Sequence, residues 1–201
     1  QRELAALAVA RKERLVTLLG PPGIGKTRLA RRFLLDLRAE GGVHFCDVTT
    51  ARGAGDMAAT VARTLGVLRA DDVAGAIADA GPIVLVLDNV ESIVAAAAPV
   101  LADWCARAPE AFFLVTSRVR LGTPGEHVID VPPLDLETDA VAMFEDRARV
   151  APTRELLRAL DGIPLAIELA AARSRILGPA KVLERLVRKR DVLSALRTAI
   201  E

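Results

Sequence analysis

Apolar and polar positions alternate along this chain in a regular long-range rhythm. Four short apolar runs, at residues 15–19, 43–48, 83–87 and 112–116, are separated by stretches with helical spacing. Each run is rich in Val, Leu, Ile or Phe, and three are nearly continuous rather than alternating, as expected for strands covered on both faces of a parallel sheet. A fifth, weaker run at 127–131 is closed by Pro132-Pro133. The segments between read as helices over 27–39, 56–65, 73–80 and 91–108. Gly41-Gly42, Gly66 and Gly81-Pro82 act as stops and turns. Strand and helix alternate to about residue 131, which predicts an α/β fold with a parallel sheet flanked by helices. Beyond Pro133 only helical patterns follow, at 137–149, 154–160, 164–176 and 180–187, predicting a small helical subdomain.

Composition narrows this picture. The 201 residues are 52% apolar but only 3% aromatic, with no Tyr, so the core must be built from aliphatic side chains. A net charge of +1 argues neither for nor against nucleic acid as a general partner. Cys46 and Cys105 stand far apart without metal-ligand spacing, and both are expected to be reduced and buried. The apolar runs are interrupted well before the roughly 18–20 residues of a membrane span. No signal-peptide pattern opens the chain, and a cytoplasmic location is expected.

The chemistry concentrates where the first strand meets the first long helix. Gly20-Pro21-Pro22-Gly23-Ile24-Gly25-Lys26-Thr27 satisfies the P-loop pattern G-x-x-x-x-G-K-[ST] without a mismatch. Glycines let consecutive backbone N–H groups converge on phosphate oxygens, and the helix that follows adds its partly positive N-terminus. The expected nucleotide-binding residues are Gly20, Pro22, Gly23, Ile24, Gly25, Lys26, Thr27 and Arg28. Lys26 is expected to reach the β- and γ-phosphates, with the Thr27 hydroxyl ligating Mg²⁺.

The third run ends on Asp88, a second Mg²⁺ ligand expected on a strand neighbouring the loop's own. Asn89 follows where many P-loop ATPases carry an acidic residue, and an amide cannot accept the proton of an attacking water. Glu91 is either a substitute base or a residue answering a helix dipole. Slow hydrolysis is therefore expected, with turnover below roughly 10 per second. Arg118, after the fourth run, is placed to sense the γ-phosphate; the catalytic set is Lys26, Asp88 and Arg118. His44, His127 and Trp104 read as structural residues. The basic stretch 185–190 reads as a solvated face, since no base-stacking aromatic accompanies it.

Four segments, LLGPPGIGKTRLA, VLVLDNVES, FLVTSRVRLGTPGEHVIDVPPLDL and LDGIPLAIELAAARSRIL, together resemble the nucleotide-binding domain of STAND ATPases. The likeness is to the branch found in bacterial transcriptional regulators, related to NB-ARC domains. It implies that Pro164 of the Gly162-Ile163-Pro164 motif packs on the nucleotide base and that Arg118 senses the third phosphate. It further implies a signalling switch held off by ADP, turned on by ATP and reset by hydrolysis. The organisation expected is a P-loop domain over 1–133, a helical subdomain over 134–190 and the start of a winged-helix subdomain over 191–201. A fragment of a longer regulator is expected, with self-association or effector domains in the full protein and no direct nucleic-acid contact by this region. The alternatives are an AAA+-type remodelling ATPase and a nucleotide-binding scaffold that does not hydrolyse; a small-molecule kinase is more distant.

Overall fold

A computed structural model describes residues 2–35, 37 and 42–198, with side chains described to residue 188. It divides into two compact units, one up to Val131 and one from Pro132 onward.

The first unit runs α1 (Arg2–Ala10), β1 (Leu15–Leu19), α2 (Lys26–Leu35), β2 (Val43–Asp47), α3 (Ala54–Leu65), α4 (Val73–Asp79), β3 (Val84–Asp88), α5 (Val94–Arg107), β4 (Phe112–Ser117) and β5 (Glu126–Asp130). Five parallel strands pair in the order β2-β3-β4-β1-β5. The central strands β3 and β4 are buried at every position, which is why their sequences are continuously apolar. The edge strands β2 and β5 are only partly covered and correspondingly more polar.

Successive side chains leave opposite faces of the sheet. Phe113 stacks on Trp104 of α5 with ring centroids 6.4 Å apart, while Phe112 meets Phe33 of α2 edge-on at 6.2 Å. Leu85, Leu87, Phe113 and Val115 thus share a core with Met57, Val61, Ile77 and Leu101 from α3, α4 and α5. Trp104 is a core residue, as its spacing indicated.

Several expectations need correction. The chain forms α1, which the periodicity reading did not include; Leu7 and Ala10 are its buried residues. The helix expected over 91–108 is two pieces, a 3-10 turn at Val90–Ser92 and α5 from Val94. Asn89 at φ 68° and Ile93 at φ −125° break helical geometry on either side of that turn. The helix expected over 27–39 is helical to Leu35; residues 36 and 38–41 lie outside the described ones. Cys46 is buried, but Cys105 is only half-buried; both are free thiols.

The second unit comprises α6 (Asp139–Ala148), α7 (Arg154–Ala159), α8 (Pro164–Leu177) and α9 (Pro179–Thr198). Its own small core joins Phe144, Leu156, Leu157, Ile167 and Val182. Thr153 caps α7, its hydroxyl accepting from the Leu156 N–H at 3.2 Å. Pro164 occupies the first turn of α8, where a missing N–H costs nothing. The Leu134 N–H donates to the Gly162 carbonyl at 2.9 Å, tying the chain entering this unit to the turn before α8. Residues 191–198 continue α9, and the last three of the expected winged-helix start lie outside the described residues. No helix among the described residues is long and apolar enough to cross a membrane.

Candidate nucleotide site

The chain reverses sharply between β1 and α2. Gly23 and Gly25 sit at φ 77° and 101°, backbone that a side chain at Cβ would strain, and this lets the loop curl tightly before α2 begins at Lys26. A Cβ on Gly20 would lie 3.0 Å from the Ile24 Cγ2 and 3.3 Å from the Val131 carbonyl oxygen, so the loop's entry is also closely packed.

Lys26 is buried, and its Nζ donates to the Gly20 and Pro21 carbonyls at 2.8 and 3.1 Å. The ammonium is thereby held over the loop that its own backbone forms. Burial pushes its pKa below the ordinary lysine value; Glu91 opposes that shift, Arg118 adds to it and Asp88 opposes it. A buried cation beside carbonyl oxygens, at the start of a helix, is a site prepared for anions.

Asp88 ends β3 and is 2% exposed. The Thr27 hydroxyl donates to it, 2.9 Å from Oδ1 and 3.0 Å from Oδ2. The sequence reading placed Asp88 on a strand next to β1. The structure instead puts β4 between them, and Thr27 spans the gap because α2 carries it over the strand ends. The same intervening strand brings a residue that sequence reasoning missed: Thr116, fully buried, donates its hydroxyl to Asp88 Oδ1 and accepts from the Asn89 N–H at 3.0 Å. Its signal was available, since Thr116-Ser117 is a polar pair closing an otherwise apolar run.

Asn89 adopts left-handed backbone, which Asn tolerates better than most residues. Its amide donates to Asp88 Oδ2 at 3.2 Å and to Thr49 Oγ1 at 2.9 Å. Thr49 in turn donates to Asp47 at the end of β2. The Asp47 carboxyl is held below its usual range, chiefly by the Thr49 hydroxyl and then by the Thr49 N–H. Thr49 and Asp47 were not anticipated either.

Arg118 follows β4 with its side chain 54% exposed, and its Nε lies 3.1 Å from Glu91 Oε1. Arg28 and Pro22 are exposed, and Ile24 is buried. Pro164 belongs to the second unit, where it opens α8. Lys26, Thr27, Asp88 and Arg118 all act from strand ends or the helix start at the carboxyl edge of the sheet, the edge at which open α/β sheets bind ligands.

The donor set suits a nucleotide's phosphates with Mg²⁺: a buried carboxylate and a hydroxyl in contact supply the hard oxygen ligands that such a cation takes, and Lys26 supplies the fixed positive charge. Among the described residues no group of three or more His, Cys, Asp and Glu is placed to hold a metal. Thr27 and Asp88 would therefore share the ion with phosphate oxygens rather than cage it.

Comparison with known proteins bears on the family and the fold. Residues 16–106 match the model of the ATPase family associated with various cellular activities (AAA). A Mycobacterium tuberculosis protein bearing the name "Putative HTH-type transcriptional regulator" is 36% identical over 198 residues, covering 89% of this chain and 22% of that protein. The chain thus spans about a fifth of that relative's length. A STAND protein with a tetratricopeptide repeat sensor from Pyrococcus horikoshii superposes with a TM-score of 0.56 at 18% identity, over 85% of this chain and 28% of its own. The ORC2 protein of Aeropyrum pernix, solved as ADPNP-ADP complexes, superposes at 0.59 with 20% identity, over 94% of this chain and 66% of its own.

Proposed function

We propose that this chain, which carries an AAA-type P-loop ATPase domain in a STAND-like fold, works as an ATP/ADP switch with slow hydrolysis inside a larger regulator. The observation that carries the reading is Asn89. It stands where many P-loop ATPases place an acidic residue, and both of its amide hydrogens are engaged, by Asp88 and Thr49. The position therefore holds the Asp88 carboxylate in place and offers no group to take a proton from water.

The remaining residues have assigned tasks. The Gly20–Gly25 loop and the Lys26 ammonium bind the phosphate chain, with Arg28 at the start of the helix beside them. Thr27 and Asp88 hold Mg²⁺, which when bound neutralises charge on the phosphate oxygens. Thr116 and Asn89 orient Asp88. Arg118 reads the third phosphate, and Pro164, in the helical unit, is assigned to the base. In domain terms the proposal is a P-loop domain over 1–133, a helical subdomain over 134–190 and a winged-helix start over 191–201. Input, effector output and self-association belong to the longer protein, and the region itself is not assigned a nucleic-acid contact.

The first measurement is to denature freshly purified protein and identify any nucleotide released by chromatography, followed by titration with ATP and ADP. Bound ADP, with turnover well below roughly 10 per second, is the expected result. Failure to bind either nucleotide would refute the switch. The match to the AAA model supports one rival, a remodelling ATPase. Robust turnover stimulated by self-assembly or by a polymeric substrate would favour it, and binding without hydrolysis would favour a scaffold.

A further inference from the structure

The ion pair between Arg118 and Glu91 does not follow from the phosphate loop, and it is lopsided. Glu91 sits on the 3-10 turn after β3, and Arg118 reaches it from the end of the adjacent strand β4, with Nε 3.1 Å from Oε1. The arginine side chain is 54% exposed and the glutamate 21%. Glu91 Oε2 is buried and meets no hydrogen-bond donor among the described residues. Arg118 is thus the partner that Glu91 has, on one oxygen only. Glu91 is also the strongest of the charges acting on the Lys26 ammonium, ahead of Arg118 and Asp88. Its carboxylate is thus mostly buried rather than out on the surface.

The Nε edge of a guanidinium forms one two-donor fork, which a carboxylate or a phosphate can fill but not both, and that is the edge Glu91 holds. We propose that Glu91 is a positioning residue that holds Arg118 when no third phosphate is present and competes with that phosphate for it, so that the Glu91–Arg118 pair sets the preference between nucleoside di- and triphosphates. A diphosphate leaves the pair intact. A triphosphate must draw Arg118 away and leave a half-buried carboxylate without its partner. The penalty falls on the triphosphate state alone, and the switch rests on the diphosphate side. This inference rests on the nucleotide-site reading above.

The test compares affinities for MgADP and for the Mg²⁺ complex of a non-hydrolysable β,γ-imido triphosphate, by calorimetry on the 201-residue chain and on E91Q, E91D, R118Q and E91Q/R118Q. Breaking a pair this exposed costs up to about 1 kcal/mol, so E91Q should shift the ratio about fivefold towards the triphosphate. E91D keeps the charge but withdraws it by one methylene, and should fall between the parent and E91Q. In the R118Q background, E91Q should leave the ratio where R118Q alone puts it. An unchanged ratio in E91Q and E91D would overturn the proposal while leaving the site's nucleotide binding intact. An equal shift in the R118Q background would assign the effect to simple repulsion between Glu91 and phosphate, and would also overturn it. Absence of any binding sensitive to Lys26→Ala would overturn the nucleotide-site reading and this inference with it.

Discussion

Asn89→Asp replaces one atom's chemistry and leaves shape almost untouched. Asp tolerates the left-handed backbone at φ 68° about as well as Asn, so backbone strain contributes little. What changes is the side chain's role. The amide nitrogen that donates to Asp88 Oδ2 at 3.2 Å becomes a second carboxylate oxygen at that distance. Two like charges so placed repel by about 5 kcal/mol at an effective dielectric near 20, and by about 1 kcal/mol in bulk water. Asn89 is half-buried and Asp88 fully so, which puts the cost between these limits.

The donation to Thr49 Oγ1 is lost as well, and Thr49 cannot answer by donating, because its hydroxyl is already committed to Asp47. Allowing for relaxation, the substitution should destabilise the first unit by roughly 2–4 kcal/mol at neutral pH. For a unit of this size that is a fall in melting temperature on the order of 8–15 °C. Thermal melts followed by circular dichroism at neutral pH measure the loss, and single-turnover assays show whether the new carboxylate speeds hydrolysis. The expectation is that it does, because the carboxylate can accept the proton from water that the Asn89 amide cannot. A melting temperature within about 2 °C of the parent, or hydrolysis no faster than the parent's, would refute the reasoning.

Three further outcomes follow from the same structure. Gly162→Ala puts a Cβ 2.5 Å from the Leu134 carbonyl oxygen at φ +65°, so left-handed strain and a backbone shift together should destabilise the helical unit by about 2–4 kcal/mol; an unchanged denaturation midpoint would contradict this. Thr116→Val keeps the shape of a fully buried residue but removes the hydroxyl that links Asp88 to the Asn89 N–H. It should cost about 2 kcal/mol of stability and weaken Mg²⁺-dependent nucleotide binding, as read by denaturant titration and calorimetry. Burial pushes the Cys105 thiol up to about 11, against the opposing effect of Arg14. At pH 8 only about one part in a thousand is thiolate, so alkylation of the native protein should be slow and rise tenfold per pH unit. Because the folded value lies above the unfolded one, the stability that this thiol contributes is intact below the ordinary thiol range and is lost as pH rises towards 11. Rapid alkylation of Cys105 at pH 8 in folded protein would contradict the assignment.

The sequence alone determined whatever depends on short spans of chain. Continuous apolar runs marked the buried strands β3 and β4. The spacing of Gly20, Gly25, Lys26 and Thr27 marked the phosphate loop, and Pro164 marked a helix start. These signals are local because period, turn chemistry and backbone permissiveness act over a few residues. The helix at residues 2–10 escaped notice because its short Ala-rich pattern carries little periodic contrast. The break between Asn89 and Val94 was hidden because a favourable helical composition runs straight across it.

Only the tertiary structure decided which strands lie side by side. Thr27 meets Asp88 across 61 residues of sequence and Thr116 meets it across 28, and both contacts depend on β4 lying between β1 and β3. The partners of Asn89, and the pairing of Arg118 with Glu91, depend on the same strand order. Strand order is settled by how whole faces bury against one another, a sum over the core that no short motif contains. The loop that holds phosphate was therefore legible in the sequence. The network that orients Asp88, and the pair that holds the arginine assigned to sense the third phosphate, existed only once the sheet had assembled.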